Sequence, residues 1–255
     1  MSSSLEIKRF NPKTIRDGSV SVMIARRGSG KSVLIKDILY HKRHMSGIVF
    51  SGTEAGNGFF GKFVPSVFVY DEFNPDALQR LVDRQRKLKK VDKADPVFVV
   101  LDDCAFDRKF MNSKLLREIA FNGRHYSIMM IISAQWALDL PPSLRGNVDY
   151  VFLLRDNLYR ERLYKNFFPF IESLDAFNKV MDACTEDFGC LVLDNTGSNS
   201  EVFHYKANMK RDFRMGNSAY WGFNKQRFNP KYDDEDNAKE TKKKGATISI
   251  KVMRK

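Results

Sequence analysis

Apolar residues in this chain gather into short continuous runs, separated by stretches in which they recur every three or four positions. The runs at Val20–Ile24, Gly47–Ser51, Ser66–Tyr70, Val97–Leu101, Ser127–Ser133 and Val148–Leu154 are rich in β-branched and aromatic residues. That is the chemistry of strands buried on both faces. Residues 33–40, 110–121, 157–166 and 170–181 carry the longer period and predict helices. Another helix starts at Asn74-Pro75-Asp76, where a capping Asn precedes a Pro with preset φ and an acid in the first turn. Leu78, Leu81, Val82 and Leu88 mark its inner face. Phe188–Asp194 and Glu201–Tyr205, joined by Asn-Thr-Gly-Ser-Asn-Ser, predict a terminal β-hairpin. Alternating strands and helices predict an α/β domain with a mostly parallel central sheet and helices on both faces. The hydrophobic pattern fades after Arg211. The expected organisation is therefore one domain over residues 1–210 and a basic, low-complexity tail over 211–255.

Candidate chemistry sits at the ends of these runs. Directly after the first strand come Ala25, Arg26, Arg27, Gly28, Ser29, Gly30, Lys31, Ser32 and Val33, and a helix follows. This is a P-loop, the Walker A arrangement. Gly28 and Gly30 let backbone N–H groups turn inward, Lys31 supplies a cation for β/γ-phosphates, and the Ser32 hydroxyl can ligate Mg²⁺. The positive end of the helix faces the same anion. The expected ligands are ATP and Mg²⁺. Ala25 stands where the usual G-x-x-x-x-G-K-[ST] pattern has its first glycine, an exchange that points to a reshaped cradle.

Val97–Leu101 delivers Asp102-Asp103 to a strand end, the Walker B form. In a doubly wound sheet the carboxyl edge is where ligands bind. Asp102 is expected to hold Mg²⁺ beside Ser32, and Asp103 to polarise the attacking water. Gln135 ends the Ile131-Ile-Ser-Ala run and is both donor and acceptor, suited to contact the γ-phosphate or its water. Hydrolysis also needs positive charge at the γ-phosphate. Arg124 and Arg145 flank the Ser127–Ser133 strand and are the two candidates, Arg124 being preferred.

Charge adds a partner class. The chain of 255 residues has 43 Lys and Arg against 31 Asp and Glu, a formal net charge of +12 that favours a polyanion such as nucleic acid. Residues 225–255 contribute ten basic against five acidic side chains, and Arg84–Lys93 forms a second basic concentration. The acidic run Asp233–Asp236 reads as solvated rather than metal-binding. Cys104, Cys184 and Cys190 lack metal spacing and fit a reducing interior, with Cys104 a small buried hydrophobe. No apolar run approaches the length of a membrane span, so no transmembrane segment is expected. A nuclease reading is disfavoured because the residues after the hairpin are few and basic.

The P-loop Ala25–Ser32, Val-Val-Leu-Asp-Asp103, Gly-Arg-His125 and Ile-Ile-Ser-Ala-Gln135, in this order, resemble the FtsK–HerA superfamily of DNA-pumping ATPases. Within it they look most like the genome-packaging ATPases of nucleocytoplasmic large DNA viruses. Ser51-Gly-Thr-Glu54 is similar to that branch too. The resemblance spans residues 15–206. It implies a P-loop fold of the RecA, additional-strand type and a homo-oligomeric, hexameric ring that drives double-stranded DNA into a capsid with ATP. It further implies a nucleotide between subunits, an arginine supplied in trans, and capsid or portal-vertex partners. The expected location is the cytoplasm of an infected cell, at the assembly site, and the virion. The alternative is a viral nucleotide-gated DNA-binding or scaffold protein with weak or no hydrolysis.

Overall fold

The computed structural model of the chain describes residues 7–104 and 108–227. Its strands are β1 (Lys8–Arg9), β2 (Val20–Ile24), β3 (Ser46–Ser51), β4 (Val69–Tyr70), β5 (Val97–Asp102), β6 (Ile128–Ala134), β7 (Tyr150–Leu153), β8 (Gly189–Asp194) and β9 (Glu201–Lys206). The helices are α1 (Lys31–His41), α2 (Glu54–Asn57), α3 (Pro75–Lys90), α4 (Arg108–Met111), α5 (Lys114–Asn122), α6 (Pro142–Arg145), α7 (Arg160–Phe167), α8 (Leu174–Cys184) and α9 (Ser218–Arg227). The strands form one sheet in the order β1-β9-β8-β7-β2-β6-β5-β3-β4. Every pairing is parallel except the two made by β8, which runs against β7 and β9.

β6 lies between β2 and β5, pairing Val22 with Ile132 on one side and Val99 with Met130 on the other. The strand carrying the P-loop and the strand carrying Asp102 are thus separated by one additional strand, the arrangement of the expected P-loop class. Strands β2, β5 and β6 are buried along their whole length, because both faces are covered. One core contains Val22, Val99 and Leu101 with Leu78 and Val82 of α3, Leu116 and Ile119 of α5, and Phe177 of α8. The other contains Met23, Phe98 and Val100 with Leu34, Ile35 and Ile38 of α1.

Several expected elements differ in detail. Of Ser66–Tyr70 only Val69–Tyr70 pairs as a strand, while Ser66–Phe68 closes a 3₁₀ turn after Pro65. The Phe68 ring stacks on Tyr220 at 4.6 Å instead of joining the sheet. The helix expected over 110–121 is two helices, because Ser113 is extended and its side chain accepts from Leu116 N as the cap of α5. Ser173 caps α8 in the same way, through Ala176 N, so that helix starts later than expected.

The segment after Arg211 is packed as far as it is described. Met215 and Tyr220 are buried in the second core. Tyr220 Oη donates to Gly47 O at 2.6 Å, and Arg211 Nε donates to Asp37 Oδ1 at 2.9 Å. Phe213 and Trp221 pack against the same core, but Arg214, Gly216, Asn217 and Ser218 interrupt the apolar positions. The rest of the expected tail, including Asp233–Asp236, lies outside the described residues.

Candidate nucleotide site

The site is built where β2, β5 and β6 end together. β2 runs straight into the loop: Ala25 N donates to Ala134 O at 3.2 Å, and the Ala25 methyl is buried in the core. Ala25 is absent from the left-handed residues of the chain, so its position makes no demand for glycine. Gly28 and Gly30 do need their freedom, with φ of 77° and 95°. No side chain caps α1, which leaves its first N–H groups directed at the loop's interior.

Lys31 is buried at the mouth of this loop. Its Nζ donates to Ala25 O at 3.0 Å and Arg26 O at 3.2 Å, and lies 3.9 Å from Asp103 Oδ1. Burial lowers the Lys31 pKa, while Asp103 and Asp102 pull it back up. Ser32 Oγ donates to Asp102 Oδ2 at 2.9 Å, and Ser133 Oγ donates to Asp102 Oδ1 at 2.7 Å. Ser133 in turn accepts from Asp103 N at 2.9 Å. Asp102 is 1% exposed. Its burial raises the carboxyl pKa, and the Ser133 and Ser32 hydrogen bonds oppose that rise.

Asp103 adopts a left-handed backbone, φ 54°, uncommon for a residue with a side chain. Its Oδ1 is buried without a hydrogen-bond partner; the contact to Lys31 is an ion pair too long for one. Beside it opens a cleft of about 520 Å³ lined by Asp103, Gln135, Arg27, Thr53 and the acids Asp71 and Glu72. Structure thus brings Lys31, Ser32, Asp102, Asp103 and Gln135 to one edge, with Arg26, Arg27, Gly28 and Ser29 rimming it. Ser29 Oγ closes the loop on Arg26 O at 2.6 Å. Val33 lines a neighbouring apolar cavity. The paired Ser32 and Asp102 oxygens, with the orphaned Asp103 oxygen, are a donor set suited to a hard divalent cation.

Arg124 and Arg145 lie elsewhere. Arg124 occupies the turn before β6, at the sheet's opposite edge, 56% exposed and 4.0 Å from Asp149. Arg145 ends α6, ahead of β7, and donates to Leu140 O at 2.8 Å. Neither lines the clefts beside the P-loop. Two residues at the site escape sequence reasoning. Ser133 looks like one more member of a buried strand, and only its register beside Asp102 gives it a task. Arg155, just past β7, lines the loop's other flank with Arg26 and Arg27; its place at a parallel strand's carboxyl end was the available signal. Cys104 is buried as expected, bonded through Sγ to Phe50 O and Asp102 O, and its thiol is pushed up to about 12 by burial.

No model of a known protein family matches the chain. It is 36% identical over 248 residues to uncharacterized protein L437 of Acanthamoeba polyphaga mimivirus, spanning 90% of this chain and 87% of that protein. It is 37% identical over 218 residues to uncharacterized protein 015R of Frog virus 3 (isolate Goorha), spanning 81% and 67%. Among solved structures it resembles B204, the DNA-packaging ATPase of Sulfolobus turreted icosahedral virus, with a TM-score of 0.56 at 19% identity over 74% of this chain and 98% of that one. At that identity the likeness speaks for the P-loop fold alone. The chain belongs to the family of these viral proteins, and its fold is that of the P-loop NTPases.

Proposed function

We propose that this protein is an ATP-driven motor that moves double-stranded DNA into a viral capsid, hydrolysing ATP at the subunit interfaces of a homo-oligomeric, hexameric ring. The observation that carries the reading is the interlocked group Ser32, Asp102 and Ser133 beside Lys31 and the unpartnered Asp103 oxygen. A cradle for phosphates, a buried metal-type carboxylate and a second carboxylate facing a cleft are the parts that phosphoryl transfer to water requires. The viral relatives and the fold shared with a DNA-packaging ATPase support the choice of DNA as cargo. The site of action is the assembly site in the infected cytoplasm, with capsid or portal-vertex proteins as partners and the virion as a further location. No helix among the described residues is long and apolar enough to cross a membrane.

Ser32 and Asp102 would hold Mg²⁺, which when bound neutralises charge on the β- and γ-phosphate oxygens. Lys31, fixed by two carbonyls, reaches the same oxygens from the loop side. Asp103 accepts a hydrogen bond from the attacking water and orients it. Gln135, across the same cleft, touches that water or the γ-phosphate. Ser133 positions the Asp102 carboxylate through its hydroxyl proton and the Asp103 backbone through its lone pair, which accepts from Asp103 N. The stimulating arginine comes from a neighbouring subunit, with Arg124 preferred over Arg145. ATPase rate measured with and without double-stranded DNA tests the proposal, and the rate should rise with DNA. Protein that binds ATP and DNA yet shows no turnover at any DNA concentration would instead be a nucleotide-gated scaffold.

A further inference from the structure

The P-loop has a neighbour that the hydrolytic machinery does not use. Asp187 and Phe188 are consecutive non-glycine residues with left-handed backbones, φ 47° and 59°. Strained pairs of this kind persist only where the surroundings over-determine them, and they cluster at ligand clamps. Here Asp187 pairs with Lys206 of β9. Gly189 follows, and a Cβ built there would lie 2.4 Å from Cys184 O, so the chain is pressed onto the end of α8. The strain holds a large apolar ring in an unusual place. Phe188 is 64% exposed, yet a Cβ built on Gly30 would lie only 3.7 Å from its Cδ1 and 3.9 Å from Leu154 Cδ2.

Phe188, Asp187 and Gly28 line two cavities of opposite character. One is flanked by Arg26, Arg27 and Arg155. The other, about 380 Å³, is walled by Val33, Leu154, Cys190 and Met209. Its charged side chains, Asp187 and Lys206, bind each other. A basic cavity and an apolar one, meeting at a phosphate loop, match the two halves of a nucleotide.

We propose that the nucleobase of the bound nucleoside triphosphate lies in the apolar cavity with its face on the Phe188 ring. This deepens the nucleotide reading of the P-loop and rests on it. Because the cavity's charged groups are paired and its walls apolar, the base is held by its face and not by its edge. Adenine and guanine are therefore bound with little discrimination.

Equilibrium binding of ATP, GTP and inorganic tripolyphosphate to the full chain, all with Mg²⁺, provides the test. Phe188→Ala should weaken ATP and GTP alike by about tenfold and leave tripolyphosphate within about twofold. Phe188→Trp should keep ATP affinity. Phe188→Gly relieves the backbone strain, so it should raise the melting temperature while still weakening ATP. Unchanged ATP affinity in Phe188→Ala overturns the platform, as does an equal loss for tripolyphosphate, which would make Phe188 a prop of the phosphate loop. Wild-type protein that binds tripolyphosphate no more weakly than ATP removes the platform alone. Wild-type protein that binds neither removes the nucleotide reading with it.

Discussion

The two rims of the sheet carry ionisable groups of opposite behaviour. At the carboxyl rim Lys31, Ser32, Asp102, Asp103 and Ser133 are interlocked by bonds of 2.7 to 3.9 Å, with Lys31 and Asp102 buried. At the amino rim the basic residues stand in solvent. Lys87, Lys89 and Lys90 fill the last turn of α3, where they complement its macrodipole. Gln85 Nε2 ties that end of α3 to Asp95 O at 2.9 Å and Tyr126 O at 3.0 Å, placing the lysines near the turn that holds Arg124. The difference separates two tasks. On the proposed reading, the lysine and the carboxylate that would hold phosphate and metal, Lys31 and Asp102, are buried and fixed by two hydrogen bonds each. On the same reading, the groups that would meet a long polyanion or an adjoining subunit, Lys87, Lys89, Lys90 and Arg124, are exposed.

Substitutions at each rim can break this division. The largest effect is expected at the carboxyl rim: Lys31→Ala should lose ATP binding and turnover together. Asp103→Asn should lose turnover in a steady-state assay and keep ATP binding. Next, Arg124→Ala should lower DNA-stimulated turnover on the order of 10³-fold or more. Mixing it with Lys31→Ala subunits should restore part of the rate, since some interfaces then join an intact P-loop to an intact arginine. Rescue by Arg145→Ala mixtures, and none by Arg124→Ala, would move the role to Arg145.

Ser133→Ala removes two hydrogen bonds, to Asp102 Oδ1 and from Asp103 N, and a loss of about 10–100-fold in turnover is expected, partly recovered at high Mg²⁺. An unchanged Mg²⁺ dependence would mean that Ser133 does not position Asp102. The smallest effect belongs to the amino rim. Replacing Lys87, Lys89 and Lys90 by Ala should leave DNA-free turnover intact and reduce the salt slope of DNA binding by about three. A slope that does not move would place the DNA path elsewhere.

What could be read from the sequence follows the same division. Buried parallel strands such as Val97–Asp102 and Ile128–Ala134 must be apolar throughout, so their runs and the polar residues at their ends stand out. The P-loop, Asp102-Asp103 and Gln135 were visible for that reason. Ser133 was not, because its role comes from lying beside Asp102 on an adjacent strand distant in sequence. Phe188 read as the first residue of a strand, whereas β8 starts at Gly189 and Phe188 sits in the left-handed turn before it. Met215 and Tyr220 were hidden because the polar run Gly216-Asn217-Ser218 and the charges of Arg211, Asp212 and Arg214 break the apolar pattern, although they close the core beneath β3.

α1 has a partner that bears on how the site communicates. Asp37, fully buried in that helix, accepts from Tyr205 Oη at 2.5 Å and from Arg211 Nε at 2.9 Å, and the Arg211 guanidinium lies 4.1 Å from the Tyr40 ring. Lys31 and Asp37 are six residues apart on a stiff helix, about 9 Å along its axis. A tilt of that rod at its phosphate end must therefore displace β9 and the segment leading to α9, or break the bonds of a buried carboxylate. The helix that carries Lys31 and Ser32 is in this sense a crank, and Arg211 is the pin through its far arm.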